Sequence, residues 1–338
     1  MNHLIDRLQN FTLDRKILSI DSNDRDINRW PNPAEFEVTT PQNYTNIESI
    51  RLVNIQSTNK FYNISEYLQN NKLIINFNDS SNNSNVTLED GIYNALNLER
   101  SLENLLNNGI IDPGKGFKVK YNEVNRKMYI GSTTGTFKLI FNNSRDLIYN
   151  NNCNNYLNNY VNVYKQYNKW GLGAILGFEK NIYDSIQDST KNKFDYIDPS
   201  TPWISNSNHI IEPPSTLDLE ENKQIYIEVD KLNQSDEIKP YITDKVNNTN
   251  SGIVNSFFAK TPIIICEQNQ SINNKECYIE GISYYQPPLD KISKLKIKLR
   301  YHNGMLLDLQ NNNINMTFEI NQIRNELKDY NVRTPFYH

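Results

Sequence analysis

Several things are scarce in this 338-residue chain, and each scarcity excludes something. It has three cysteines, Cys153, Cys266 and Cys277, and no CxxC pair. An odd count without paired spacing argues against a disulfide framework and a zinc site, and fits assembly in a reducing compartment. Histidines are limited to His3, His209, His302 and His338, none at a recognisable catalytic spacing from a nucleophile. GxSxG and HExxH are absent, so the usual signatures of serine hydrolases and zinc proteases are missing. No apolar run approaches the ~20 residues needed to span a bilayer. The charges in Met1-Asn-His-Leu-Ile-Asp-Arg-Leu8 come too early for a secretory signal, so no membrane span or secretion is expected.

Positive charge is also thin. The net charge is −4, and the one basic run is Lys291-Ile-Ser-Lys-Leu-Lys-Ile-Lys-Leu-Arg300. Nucleic-acid binding needs a broad basic face. One basic strand reads better as a solvated edge, or as an edge charged against aggregation. Sequence-specific contact with nucleic acid is therefore not expected.

Two local patterns resemble ligand sites and fall short. Gly171-Leu-Gly-Ala-Ile-Leu-Gly177 has the wrong spacing for a phosphate loop and no following lysine, so its glycines are read as close packing at a tight turn. Asp21-Ser-Asn-Asp-Arg-Asp26 starts like a calcium loop but lacks the glycine and the distal glutamate. It is read as a turn held by Asx hydrogen bonds, with Arg25 pairing locally. No cofactor, no metal and no catalytic residue is expected, and the chain is read as a non-enzyme.

What is abundant is asparagine, at about one residue in six, which fills turns and tolerates positive φ. Tyrosine (21) outnumbers phenylalanine (13), suiting sheets whose outer faces meet water or partners. Period-2 alternation predicts strands at 16–20, 35–39, 49–55, 72–77, 117–121, 127–130, 136–141, 224–230, 256–259, 262–266, 277–280, 295–301 and 315–320. One helix stands out, with Asn94 as N-cap, Leu98, Leu102, Leu105 and Leu106 as its apolar stripe, and Gly109 near its end.

Many short strands around one main helix predict a mainly β fold, an antiparallel β-sandwich of jelly-roll type. Strands of similar character at both ends predict a discontinuous sandwich over 16–84 and 218–322. A small α+β module, 85–180, is inserted in it. Residues 181–217 are read as an extended connection and 323–338 as a tail. Residues 1–15 carry Leu4, Ile5, Leu8 and Phe11 at helix-like spacing and are read as an amphipathic N-terminal arm. Two aromatic-proline corners, Trp30-Pro-Asn-Pro33 and Tyr284-Tyr-Gln-Pro-Pro288, supply rigid rings of the kind that anchor protein contacts. Candidate assembly contacts are therefore Leu4, Leu8, Phe11, Trp30, Tyr284 and Tyr285.

Longer motifs carry a family resemblance. Ser19-Ile-Asp-Ser-Asn-Asp-Arg-Asp26, then Trp30-Pro-Asn-Pro-Ala-Glu-Phe36 and Ser49-Ile-Arg-Leu52, resemble the opening of virion proteins of mimivirus-like giant double-stranded DNA viruses. Leu88-Glu-Asp-Gly-Ile-Tyr93 with the helix after it, ending near Leu176-Gly-Phe178, resembles a module common in them. So do Ile225–Asp230, Asn255–Ile263 and Leu295–Gly304. The resemblance implies a jelly-roll minor capsid or penton-like protein, shorter than the double-jelly-roll major capsid protein. It implies other capsid proteins as partners, the major capsid protein among them, with homo-oligomers, a place in the virion and synthesis in the host cytoplasm. It brings no catalytic residues. The alternative is a receptor- or glycan-binding surface or fibre protein, which would need an exposed groove lined by Trp30, Tyr284 and Tyr285.

Overall fold

The computed structural model describes residues 11–58, 61–108, 116–143, 147, 171–187, 209–220, 224–236, 256–262, 271–273, 282–302 and 304–325. The described strands are β1 (Phe11–Asp21), β2 (Glu35–Thr58), β3 (Lys72–Phe77), β4 (Ser84–Thr87), β5 (Phe117–Asn122), β6 (Lys127–Ser132) and β7 (Phe137–Ile140). They continue with β8 (Ile182–Asp184), β9 (Ile186–Gln187), β10 (His209–Ile211), β11 (Gln224–Val229), β12 (Ser235–Asp236) and β13 (Ser256–Phe257). The last are β14 (Ala259–Pro262), β15 (Ser271–Asn273), β16 (Ile282–Arg300) and β17 (Ile314–Asn325). The helices are α1 (Ala95–Asn108) and the single turn α2 (Leu172–Ile175). The protein is mainly β, and its strands pair antiparallel.

The chain divides into two compact units: residues 1–59 with 223–338, and residues 60–222. In unit 1, β2 and β16 are long enough to serve two layers. The first layer runs β1, β17, the C-terminal half of β2, then the N-terminal half of β16. The second runs from the N-terminal half of β2 to the C-terminal half of β16, β11 and β14. The corner lies where Thr39 pairs with Lys294 and Tyr44 with Ile292. Thr40–Asn43 there face a single residue of β16, a bulge that bends the strand. Pro41 cannot donate to the ladder, and the Thr40 hydroxyl donates to the Gln42 carbonyl at 2.8 Å. Eight strand segments in this order are the pairing of a jelly roll. The layers face each other: the Phe258 ring, beside β14, lies 5.8 Å from that of Phe318 on β17. Both are fully buried, with Phe36, Ile47, Ile297 and Leu299 around the same interior.

The basic run lies on β16, but not at an edge. Its C-terminal half is flanked by β2 and β11, so the edge reading is corrected. Leu295, Ile297 and Leu299 point inward and are buried. The alternate cations pair across strands: Lys294 with Glu37 at 3.2 Å, Lys296 and Lys298 with Glu35 at 3.4 Å, Arg300 with Glu228 at 3.0 Å. Such pairs contribute about 0.2–1 kcal/mol each.

Unit 2 holds two four-stranded sheets, β4-β3-β7-β8 and β5-β6-β10-β9. Its core gathers Leu73 and Ile75 of β3, Phe137 and Leu139 of β7, and Phe117 and Val119 of β5. Leu98, Leu102 and Leu106 of α1 complete it, as the apolar stripe predicted. The sheets meet through Phe117, whose ring is 5.3 Å from Phe137 and 5.7 Å from Phe77, edge to face. The Asn94 side chain caps α1, accepting from Asn97 N at 2.8 Å.

One face of α1 replaces a strand. Asn107 bonds both backbone groups of Phe117, Glu103 accepts from Val119 N at 3.0 Å, and Glu99 accepts from Tyr121 N at 2.7 Å. Four helical residues advance about 6.0 Å and two strand residues about 6.6 Å, so acceptors at i, i+4, i+8 match donors at every second strand residue. The edge of β5 is thereby sealed.

The boundaries differ from those predicted. β3, expected in the sandwich, instead pairs with β4 and β7 inside unit 2. Within 181–217, expected to be an extended connection, β8, β9 and β10 pair into the unit 2 sheets. Those strands are two or three residues long, too short to show a period.

The glycine-rich stretch is packing, as expected. A Cβ on Gly173 would lie 2.5 Å from the Phe141 ring, and Gly177, at φ +89°, lies against the Ser215 carbonyl. Asn46, Asn78 and Asn311 take positive φ, the use anticipated for asparagine.

Candidate assembly surface

The outward side of the first layer in unit 1 is built by strand alternation. On β1, Leu18 and Ile20 point into the core, which turns Leu13, Arg15 and Ile17 outward. The register then fixes two outward rows. One is Ile17, Glu319, Arg51, Ile282; the other is Arg15, Asn321, Ser49, Tyr284. Leu13, Ile17 and Tyr284 are 51%, 54% and 61% exposed, and Ile282 is exposed beside them. The face is thus apolar at both rims and charged between.

Glu319 is the charge at its middle, with a side chain only 7% exposed. Arg15 Nη2 lies 2.5 Å from its carboxylate and Arg51 Nη2 2.9 Å. Asn321 Nδ2 donates to Glu319 Oε1 at 3.4 Å and to Ser49 Oγ at 3.0 Å. Burial pushes the Glu319 carboxyl up, but the hydrogen bond and charge of Arg51 outweigh it, with Asn321 and Arg15 adding, and hold it below the usual glutamate range. A depressed folded-state value stabilises the fold above the ordinary glutamate range. That stability is lost as pH falls through the folded value. Glu319→Gln should therefore lower the melting temperature near neutrality and flatten its decline in acid. Thermal unfolding across that range checks this; an unchanged acid limb would contradict it.

The predicted contacts do not converge. Leu4 and Leu8 lie outside the described residues. Phe11 is the first residue of β1, paired with Asn325, so 11–15 are strand rather than helical arm. Trp30 is half-buried beside the second layer, its ring centre 4.8 Å from Lys296 Nζ and 5.6 Å from the Arg29 guanidinium carbon. Tyr284 is exposed on the first layer, and Tyr285, one residue on, points into the core and is buried. Its hydroxyl donates to the Leu232 carbonyl at 3.4 Å, and burial pushes the phenol up to about 12 against a hydrogen bond from Ser283. A groove lined by all three rings is not formed. Sequence reasoning passed over Leu13, Ile17 and Ile282. A signal was present: β1 is apolar at both odd and even positions, which marks a strand with two covered faces.

The Asp21–Asp26 turn is held as anticipated. Asp21 accepts from Asn23 N and Asp26 from Asn28 N, while the Arg25 guanidinium donates to the carbonyls of Ser22, Trp30 and Pro31 and to Asn313 Oδ1. Among the described residues, no three His, Cys, Asp or Glu side chains gather as a metal site, and no helix is long and apolar enough to cross a membrane.

No family model matches the chain, and no curated protein sequence matches it. Among solved structures it is similar to the mavirus penton protein, with 12% identity and a TM-score of 0.43 over 93% of this chain and all of that one. It is also similar to a chain of the Sputnik virophage, solved by cryo-electron microscopy. There the identity is 14% and the TM-score 0.39, over 94% of this chain and 99% of the other.

Proposed function

We propose that this chain is a structural capsid subunit, a penton or minor capsid protein, that holds neighbouring capsid proteins together in the virion. The observation that carries this reading is the outward face of the first layer. It is a sheet already covered on its core side, yet it presents Leu13, Ile17, Ile282 and Tyr284 on either side of a cluster in which Arg15 and Arg51 share the Glu319 carboxylate. Exposed aliphatic and aromatic side chains grouped on one sheet face mark a surface that meets another protein. The jelly-roll pairing supports it, since this architecture builds viral shells, although lectins share it and fold alone does not decide function. The order of the virion-protein-like motifs from residue 19 to 304 supports it independently. The partners are then copies of this chain and other capsid proteins, the major capsid protein among them.

The test is a particle map with mass spectrometry of purified virions of the encoding virus. The chain should appear at a fixed capsid position, in symmetric copies. Its absence from purified particles would overturn the proposal.

A further inference from the structure

Sheet edges are where a β protein meets other chains unless something stops it. Most edges described here are stopped. The β5 edge is sealed by Glu99, Glu103 and Asn107. The N-terminal half of β16 carries Pro287 and Pro288, which remove two donors. β14 is four residues long and ends in Pro262, and β4 is four residues long. β1 is different. It has 11 residues, contains no proline or glycine, and pairs on one side with β17 without a register shift. Among the described residues no strand lies on its other side.

The free edge reads as its own complement. About a dyad at Arg15, an antiparallel second copy sets Asp14 opposite Lys16, and Leu13 opposite Ile17, twice each. The faces agree. Leu13 and Ile17 lie on the outward side, each about half-exposed. Asp14 and Lys16 share the other side, 3.1 Å apart within the strand, with Arg324 2.7 Å from Asp14. At the dyad each Arg15 is drawn to the Glu319 of its own chain, a carboxylate it shares with Arg51, which offsets part of the like charge. We infer that β1 pairs with β1 of a second copy, joining two first layers into one continuous sheet across a two-fold axis. This is an isologous contact made by strand addition, with main-chain bonds for affinity and cross-strand pairs for register.

The inference deepens the assembly reading by naming one contact, and its test needs no particles. Sedimentation velocity of the full chain should show a dimer. Asp14→Lys sets lysines against lysines at both off-centre positions, and Lys16→Asp sets aspartates against aspartates. Each should weaken the dimer by about tenfold or more. Mixed in equal amounts, the two variants meet with opposite charges at both positions and should sediment as a dimer again. A rearrangement within one chain cannot produce that recovery. Ile17→Lys, at a half-exposed site outside the ion pairs, should weaken the dimer as well. A wild-type monomer would overturn the pairing. So would association indifferent to the charge changes, or variants that stay apart on mixing. Absence of the chain from virions would sink the capsid reading and leave the dimer standing. A virion protein that is monomeric in solution would sink only the β1 contact.

Discussion

Phe318→Ala should destabilise unit 1 by about 3–5 kcal/mol, the cost of emptying a phenylalanine site in a close-packed core. Phe318 is fully buried on β17, and its ring meets Phe258 beside β14. β17 and β14 belong to opposite layers and share no ladder. The substitution therefore removes contact between the layers and leaves both hydrogen-bond networks intact. Residual cavity volume sets the cost, because backbone on both sides is fixed by its own ladder and cannot collapse far. Phe318→Leu fills most of the site and should cost clearly less. Hydrogen exchange under mild denaturant is the suitable measurement, since it reads unit 1 separately. Amides of β17 and β11 should lose protection together. Loss in β17 alone would mean that the layers do not depend on this contact.

The second large effect concerns the helix that seals β5. Glu99→Ala with Glu103→Ala should destabilise unit 2 by about 1–3 kcal/mol for each orphaned backbone donor, those of Tyr121 and Val119. Lys120 and Lys118 would also lose their partners, at 3.3 and 3.2 Å, but ion pairs near the surface contribute little. The glutamine variants keep an acceptor oxygen and should lose much less. Uncovering the edge should make the alanine double variant prone to association on heating. Light scattering recorded during thermal unfolding tests both points. An unshifted melting curve would show that water replaces the carboxylates at no cost.

The α1 face also shows where sequence reading stops. The cap at Asn94 and the leucine stripe are local patterns, and both were legible. Glu99, Glu103 and Asn107 were equally visible at their spacing of four. That spacing is what a solvated helix face also shows, and only the neighbouring strand reveals what the carboxylates accept. The basic run of β16 failed the same way. Its lysines look like solvent charges until Glu35, Glu37 and Glu228 arrive from strands far off in sequence. β3 was assigned to the wrong unit because Leu-Ile-Ile marks burial without saying in which sheet. Weighting aromatics hid a difference in burial between neighbouring rings. Tyr284 and Tyr285 are adjacent, and alternation sends them to opposite faces, so at most one could be a contact. The exposed aliphatic pair Leu13 and Ile17 lies on the face of β1 opposite Leu18 and Ile20, which fill the core.

The bend at Thr40–Asn43 has a mechanical consequence. β2 passes through it without a break, and so does β16 opposite, so two covalent backbones are common to both layers. A tug that strips one layer is transmitted along the same chains into the other. Among the described strands of unit 1, β2 and β16 therefore tie the two layers together along their length.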